Sequence, residues 1–242
     1  MSTNGAAARP HSRPVGPDLN YLWMPALVRL LCRVVLAGLV DVAGTENVPC
    51  RGGLLVVSNH AGSIDPPFTG ANFPRRDLYF MAKSEYFRNP IGRFFVVGYH
   101  GFPVVRGTAD RAALKQALSL IEQGHAVLVY AEGHRSPDGR LQRPHPGAGF
   151  LARAAGVPIL PVAVWGTERV IGRGSFWPRR APIHLRFGAP APVPVQDGSG
   201  RRLGNQEVAD RLMLRVAELL PESRRGVFDG RRPYWAVPPP AA

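Results

Sequence analysis

Leu54-Leu55-Val56-Val57-Ser58-Asn59-His60-Ala61-Gly62-Ser63-Ile64-Asp65-Pro66 is the stretch whose reading decides the fold. Its apolar opening reads as a buried strand, and the polar, glycine-containing continuation reads as the loop that leaves it. In α/β proteins such a loop lies at the carboxyl end of a strand, where ligands bind. His60 and Asp65 are five positions apart. On a regular helix that separation turns two side chains about 140° away from each other. Pro66 disfavours helical geometry at Asp65, so a loop can fold the carboxylate back onto the imidazole. An imidazole held by a carboxylate is a general base near neutral pH. Two plainer readings stand beside this one. Asp65 can be an ordinary N-cap with Pro66 at the first helical position, and His60 can be a satisfied buried histidine.

Outward from this stretch, short apolar runs alternate with helical patterns. Strands are expected over 54–59, 77–82, 102–105, 126–131, 157–165 and 183–187. Helices are expected from Pro66, from Ser84 with Pro90 interrupting or restarting it, over 112–123, over 147–155 and over 206–220. Gly124 and Gly156 supply stops, and Val208, Leu212, Val216 and Leu219 form the stripe of the last helix. Pro158 and Pro161 suggest an edge strand or a bulge, and the apolar run 157–161 is a candidate pocket wall. The alternation predicts an α/β fold: a single domain with a central mostly parallel or mixed sheet flanked by helices, plus an N-terminal membrane-interface helix. The expected organisation is a disordered tail over 1–18, an amphipathic membrane-associating helix over 19–45, the folded domain over 46–228 and a loose C-terminal tail over 229–242.

Residues 21–40 are the most apolar part of the chain. If Pro25 opens the helix, the 16 residues to Val40 reach about 24 Å, short of the roughly 30 Å hydrocarbon core. Arg29 and Arg33 are four apart and share a face. With Tyr21 and Trp23 at the entry, the pattern describes a helix lying in the interface rather than spanning it. The alternative is a core-packing helix with two paired arginines.

Lys and Arg number 30 against 17 Asp and Glu, for a net charge of +13. Such a surplus favours anionic partners. The aromatics do not interleave with the arginines as in a single-strand binder, and no recognition-helix signature is present. No nucleic acid partner is therefore expected, and an anionic membrane surface is. A basic, non-catalytic membrane- or nucleic-acid-binding protein is the competing class. Cys32 and Cys50 form no CxxC pair, which argues against a zinc site or a disulfide framework and for a reducing compartment. No cleavable signal peptide is expected.

Three further blocks follow strand-like runs. They are Gly101-Phe102-Pro103-Val104-Val105-Arg106, Tyr130-Ala131-Glu132-Gly133-His134-Arg135-Ser136, and Val157-Pro158-Ile159-Leu160-Pro161-Val162. With Asn59-His60…Asp65, their order and spacing resemble the NHxxxxD, GxxxxR, FPEGTRS-like and VPxxPV motifs of the PlsC-type glycerolipid acyltransferases, the lysophosphatidate (1-acylglycerol-3-phosphate) acyltransferase family. The resemblance covers roughly residues 40 to 190 and makes the folded domain an acyltransferase domain. It implies transfer of an acyl group from a thioester, acyl-CoA or acyl carrier protein, to a hydroxyl of a lysophospholipid acceptor, at the cytoplasmic side of the cell membrane. It casts His60 as general base and Asp65 as the carboxylate that orients it. It implies that Arg106, Glu132, Gly133 and Arg135 hold the acceptor's glycerol phosphate, with Asn59, Lys83, His134 and His145 as further candidates. A planar guanidinium suits phosphate; Glu132 would instead orient an arginine or accept from a glycerol hydroxyl. A thioester is already activated, so no cofactor and no metal are expected.

The chain departs from the pattern at Ala131, where the family has proline, and at His134, where it has threonine. Arg143-Pro144-His145-Pro146-Gly147 stands where the family has a Phe-Lys or Phe-Arg pair before a glycine. A weakly charged His145 thus replaces a fixed cation. Another lysolipid, glycolipid or aminolipid is therefore the alternative acceptor.

Overall fold

The computed structural model of the chain describes residues 19–105, 110–172 and 177–230. In chain order the elements are α1 (Leu19–Val35), β1 (Val40–Ala43), β2 (Leu54–Ser58), α2 (Asp65–Asn72), β3 (Leu78–Lys83), α3 (Pro90–Gly98), β4 (Gly101–Val104), α4 (Arg111–Glu122), β5 (Ala126–Tyr130), α5 (Pro146–Ala155), β6 (Ile159–Trp165), α6 (Thr167–Val170), β7 (Ile183–Phe187) and α7 (Asn205–Glu218). Among the described residues seven strands form one sheet in the order β1-β7-β6-β2-β5-β3-β4. The run β6-β2-β5-β3-β4 is parallel, while β7 reverses against β6 and carries β1 beside it. The fold is therefore the expected α/β domain with a mixed sheet flanked by helices.

Both faces of the central strands are covered. Leu55 and Val57 of β2 join a core with Ala117 of α4, Leu151 of α5 and Leu212 of α7. Leu54 and Val56 join a second core with Met24 of α1 and Phe68 of α2. A strand buried on both sides has no polar face, which is why the 54–57 run shows no alternation. Helices α5 and α7 pack at very close range. A Cβ on Gly149 would lie 1.9 Å from the Asn205 carbonyl oxygen, so only glycine permits this crossing.

Several expectations need correction. Pro25 lies inside α1 rather than opening it; proline there removes one helical hydrogen bond without ending the helix. The helix stops at Val35, not at Val40 or 45, and Gly38 with φ +75° turns the chain out of it. Residues Val40–Ala43 are instead an edge strand of the sheet, paired in parallel with β7, so the domain begins at β1 rather than at residue 46. Strand β6 is interior, not an edge, and Leu160 and Val162 are fully buried in the core rather than walling a pocket. Its prolines are accommodated by the pairing on the β7 side. The Ile159 amide and carbonyl both pair with Ala191, and the Pro161 carbonyl accepts from Gly188. The missing Pro161 amide thus faces the neighbouring chain as it leaves β7. Ser84 opens a short 3-10 turn without a side-chain cap. Asn89 caps α3 instead, its Oδ1 accepting from the Ile91 and Gly92 amides at 2.9 and 3.2 Å. The tail expected at 1–18, and all of the tail expected at 229–242 except its first two residues, lie outside the described residues.

Candidate active site

The carboxyl end of β2 sits between β5 and β6, with Ser58 in register with Tyr130 and Val162. The loop leaving it brings His60 and Asp65 together, at 2.8 Å from Nδ1 to Oδ2. The same Oδ2 accepts the Ala61 and Gly62 amides at 2.7 and 2.9 Å, and Oδ1 accepts the Thr167 hydroxyl at 2.5 Å. Asp65 opens α2, but its carboxylate points back into the preceding loop and makes no cap bond to the helix. Of the readings left open at this position, the orienting carboxylate describes the geometry. Gly62 allows the loop to close on α6, since a Cβ there would meet Thr167 at 2.8 Å. Asp65 has no exposure and His60 is 6% exposed, so the pair interacts in a medium of low dielectric where such a contact is strong.

Tyr130, at the end of β5, stacks its ring on the imidazole, with centroids 4.2 Å apart and planes 20° from parallel. Burial, and behind it the Asp65 charge, push its hydroxyl well above the ordinary phenol range. It therefore stays protonated and adds no charge beside the dyad. The sequence reading gave no role to Tyr130 or Thr167. An aromatic at the end of a strand adjacent to β2 was a usable signal for Tyr130. Nothing local marked Thr167, which stands 102 positions from Asp65.

The remaining predicted residues divide into those at the site and those that hold it. Asn59 is a clamp, not a substrate contact. Its Nδ2 donates to the Val164 carbonyl at 2.7 Å and its Oδ1 accepts the Val164 amide at 2.9 Å, which consumes its amide on β6. Glu132 is also corrected. It has no exposure; Oε1 accepts the His60 amide at 3.0 Å and Oε2 accepts the Gln142 amide at 3.2 Å. Burial pushes its carboxyl up to about 8, against those two amides, which favour the charge. It is a positioning residue for the His60 loop. The Ser136 amide completes the tie by donating to the His60 carbonyl at 2.8 Å.

Gly133 adopts φ +71°, and a Cβ there would meet the His145 ring at 2.7 Å, so the glycine makes room for that ring. His134, Arg135 and His145 are half-buried around this turn. Burial first and the nearby His134 second hold His145 below the ordinary imidazole range, so it carries no charge at neutral pH. Arg143, the fixed cation nearest in sequence, is turned to α7 and grips Asp210 with Nε and Nη2 at 3.1 and 2.8 Å. Lys83 ends β3 and pairs with Glu85 at 3.0 Å. Its register partner Val104 is two positions before Arg106, which itself lies outside the described residues.

With Nδ1 bound to Asp65, the imidazole has Nε2 left to take a proton. Such an arrangement can take a proton from a hydroxyl and hold the imidazolium that results. A family model described as acyltransferase matches residues 39–165. The 1-acyl-sn-glycerol-3-phosphate acyltransferase of Bacillus subtilis is 31% identical over 156 residues, which cover 64% of this chain and 75% of that protein. A chloroplastic protein of the same name from Brassica napus is 30% identical over 138 residues, or 56% of this chain and 40% of that one, so the chain spans less than half of that relative. The crystal structure of the 1-acyl-sn-glycerophosphate acyltransferase PlsC from Thermotoga maritima superposes with a TM-score of 0.63 at 27% identity, covering 82% of this chain and 80% of that one.

Proposed function

The chain belongs to the acyltransferase family, and from that premise we propose that it moves a fatty acyl group from an acyl thioester to the hydroxyl of 1-acylglycerol-3-phosphate, giving phosphatidic acid. The observation that carries the chemistry is the buried His60–Asp65 contact at 2.8 Å. His60 Nε2 takes the proton of the acceptor hydroxyl as its oxygen attacks the thioester carbonyl. The new C–O bond gives a tetrahedral oxyanion. Its collapse breaks the C–S bond, and the departing thiolate recovers the proton from the imidazolium. Asp65 balances the imidazolium between the two proton transfers. The donor is acyl-CoA or acyl carrier protein. Arg106 and Arg135 are assigned to the acceptor phosphate, for which guanidinium geometry is suited.

Replacing His60 with Ala in a protein that keeps its thermal midpoint is expected to lower turnover about 10²–10⁴-fold or more. Asp65→Asn removes the negative charge facing the imidazolium and is expected to lower kcat more than it raises KM. Full turnover by folded His60→Ala protein would sink the assignment.

A second acceptor reading has one observation in its favour. Arg143 is spent on Asp210 and His145 is neutral, so the Gly133 turn lacks a fixed cation from this segment. Another lysolipid, a glycolipid or an aminolipid fits that change. Assay of the purified protein against an acceptor panel, with products identified by mass, separates the two. Among the described residues no helix is long and apolar enough to cross a membrane. We assign the enzyme to an anionic, cytoplasmic membrane face, docked through α1. The support is the net charge of +13 and the apolar face that α1 turns outward, Leu30 being 57% and Val34 69% exposed.

A further inference from the structure

Helix α3 also turns its apolar side outward. Ile91, Phe94 and Phe95 share one helical face and are 71%, 46% and 56% exposed. Among the residues of this helix only Gly98 is buried. The exposed stripe of α1, at positions 27, 30, 31 and 34, has the same spacing. The two stripes join where the Trp23 and Phe94 rings stand 6.3 Å apart, so they form one surface. Helices on the surface of a soluble protein show the reverse pattern, and a contiguous apolar patch marks an interaction site. The charges around it identify the partner. Neither α1 nor α3 contains an Asp or Glu, and exposed Arg29, Arg88 and Arg93 lie on or beside them. Aliphatic and aromatic groups on helices whose only charged residues are arginines fit hydrocarbon lying behind anionic headgroups. At 17 and 9 residues both helices suit a contact in the plane of the interface. The surface also reaches the catalytic edge, because the chain runs into α3 from the carboxyl end of β3.

We propose that α3 is a second bilayer-inserting element, which with α1 forms a single face docking the enzyme on an anionic lipid surface. This deepens the assignment of α1 given above and rests on it. The test is vesicle flotation of the full chain, with vesicles of phosphatidylglycerol and phosphatidylcholine in equal parts against phosphatidylcholine alone. It compares wild type, Ile91→Ser/Phe95→Ser and Leu30→Ser/Val34→Ser, each confirmed as folded by its thermal midpoint. Losing two large apolar contacts should lower partition onto the anionic vesicles about tenfold or more for each double variant. Wild-type flotation by the α3 variant, with the α1 variant impaired, overturns the proposal and leaves the reading of α1 standing. Wild-type flotation by both variants overturns both. Equal binding of wild type to neutral vesicles overturns the anionic partner. A dimer in lipid-free buffer that the α3 variant dissociates overturns the proposal by giving the face to a second copy.

Discussion

At the scale of single residues, burial moves the Glu132 carboxyl away from its value in water. Glu132 is raised from 4.5 to about 8 by burial, so the folded state prefers its protonated form. Below about pH 4.5 both states hold the proton and the contribution to stability is complete. Between there and about pH 8 the unfolded chain has released it while the folded chain keeps it. Stability therefore falls as pH rises through this window, with a slope of up to about 1.4 kcal/mol per pH unit from this group. Glu132→Gln keeps a neutral amide in its place and removes that slope. Urea unfolding at pH 5, 6.5 and 8 should show wild type losing stability relative to the variant as pH rises. A difference that does not change with pH would refute the assignment. The same position explains what residue types conceal. Asn59 and Glu132 look like substrate groups in a linear motif, yet both end on backbone partners. A polar side chain recurring at a strand end serves a buried amide as readily as a ligand.

At the scale of elements, the approach of α5 and α7 depends on Gly149. Its Cβ would overlap the Asn205 carbonyl at 1.9 Å, whereas a Cβ on Gly147 of the same helix meets nothing within 4 Å. Gly149→Ala is expected to destabilise by about 1–3 kcal/mol as the helices separate. Gly147→Ala should be neutral, or stabilising by up to about 1 kcal/mol through helix propensity. Thermal melts of the two variants make the comparison, and equal midpoints would contradict it. Elements with a strong period or a continuous apolar run were legible in the chain. The strand at 183–187 appears with the bounds expected of it, and the helices at 112–123 and 206–220 shift by one or two residues. Strand β1 was not legible. Its four residues alternate between half-buried and exposed and follow an apolar helix that masks them. Thr167 was illegible for a different reason: the bond to Asp65 exists only because β6 lies beside β2, a fact of topology rather than of local pattern.

At the scale of the whole molecule, β1 is a short edge strand that covers β7. Without it the outer edge of β7 would present unpaired backbone groups, a template for association. A chain beginning at Gly44 is expected to unfold at lower temperature and to aggregate, whereas one beginning at Leu36 retains β1 and the buried Leu36 side chain. Light scattering during thermal melts measures both, and equal behaviour would show that β1 is dispensable. The loop that carries His60 is fastened on two sides. Glu132 and Ser136 bind its backbone from the segment after β5, and Asn59 pairs with Val164 in β6. The loop is thus tied to the strands on either side of β2. Sequence drift that relaxes it also loosens the middle of the sheet, so selection for stability and selection for turnover act on the same side chains there. Evolutionary latitude falls instead to half-buried groups at the turn beside the centre, such as His134, and divergence among related sequences has its room there.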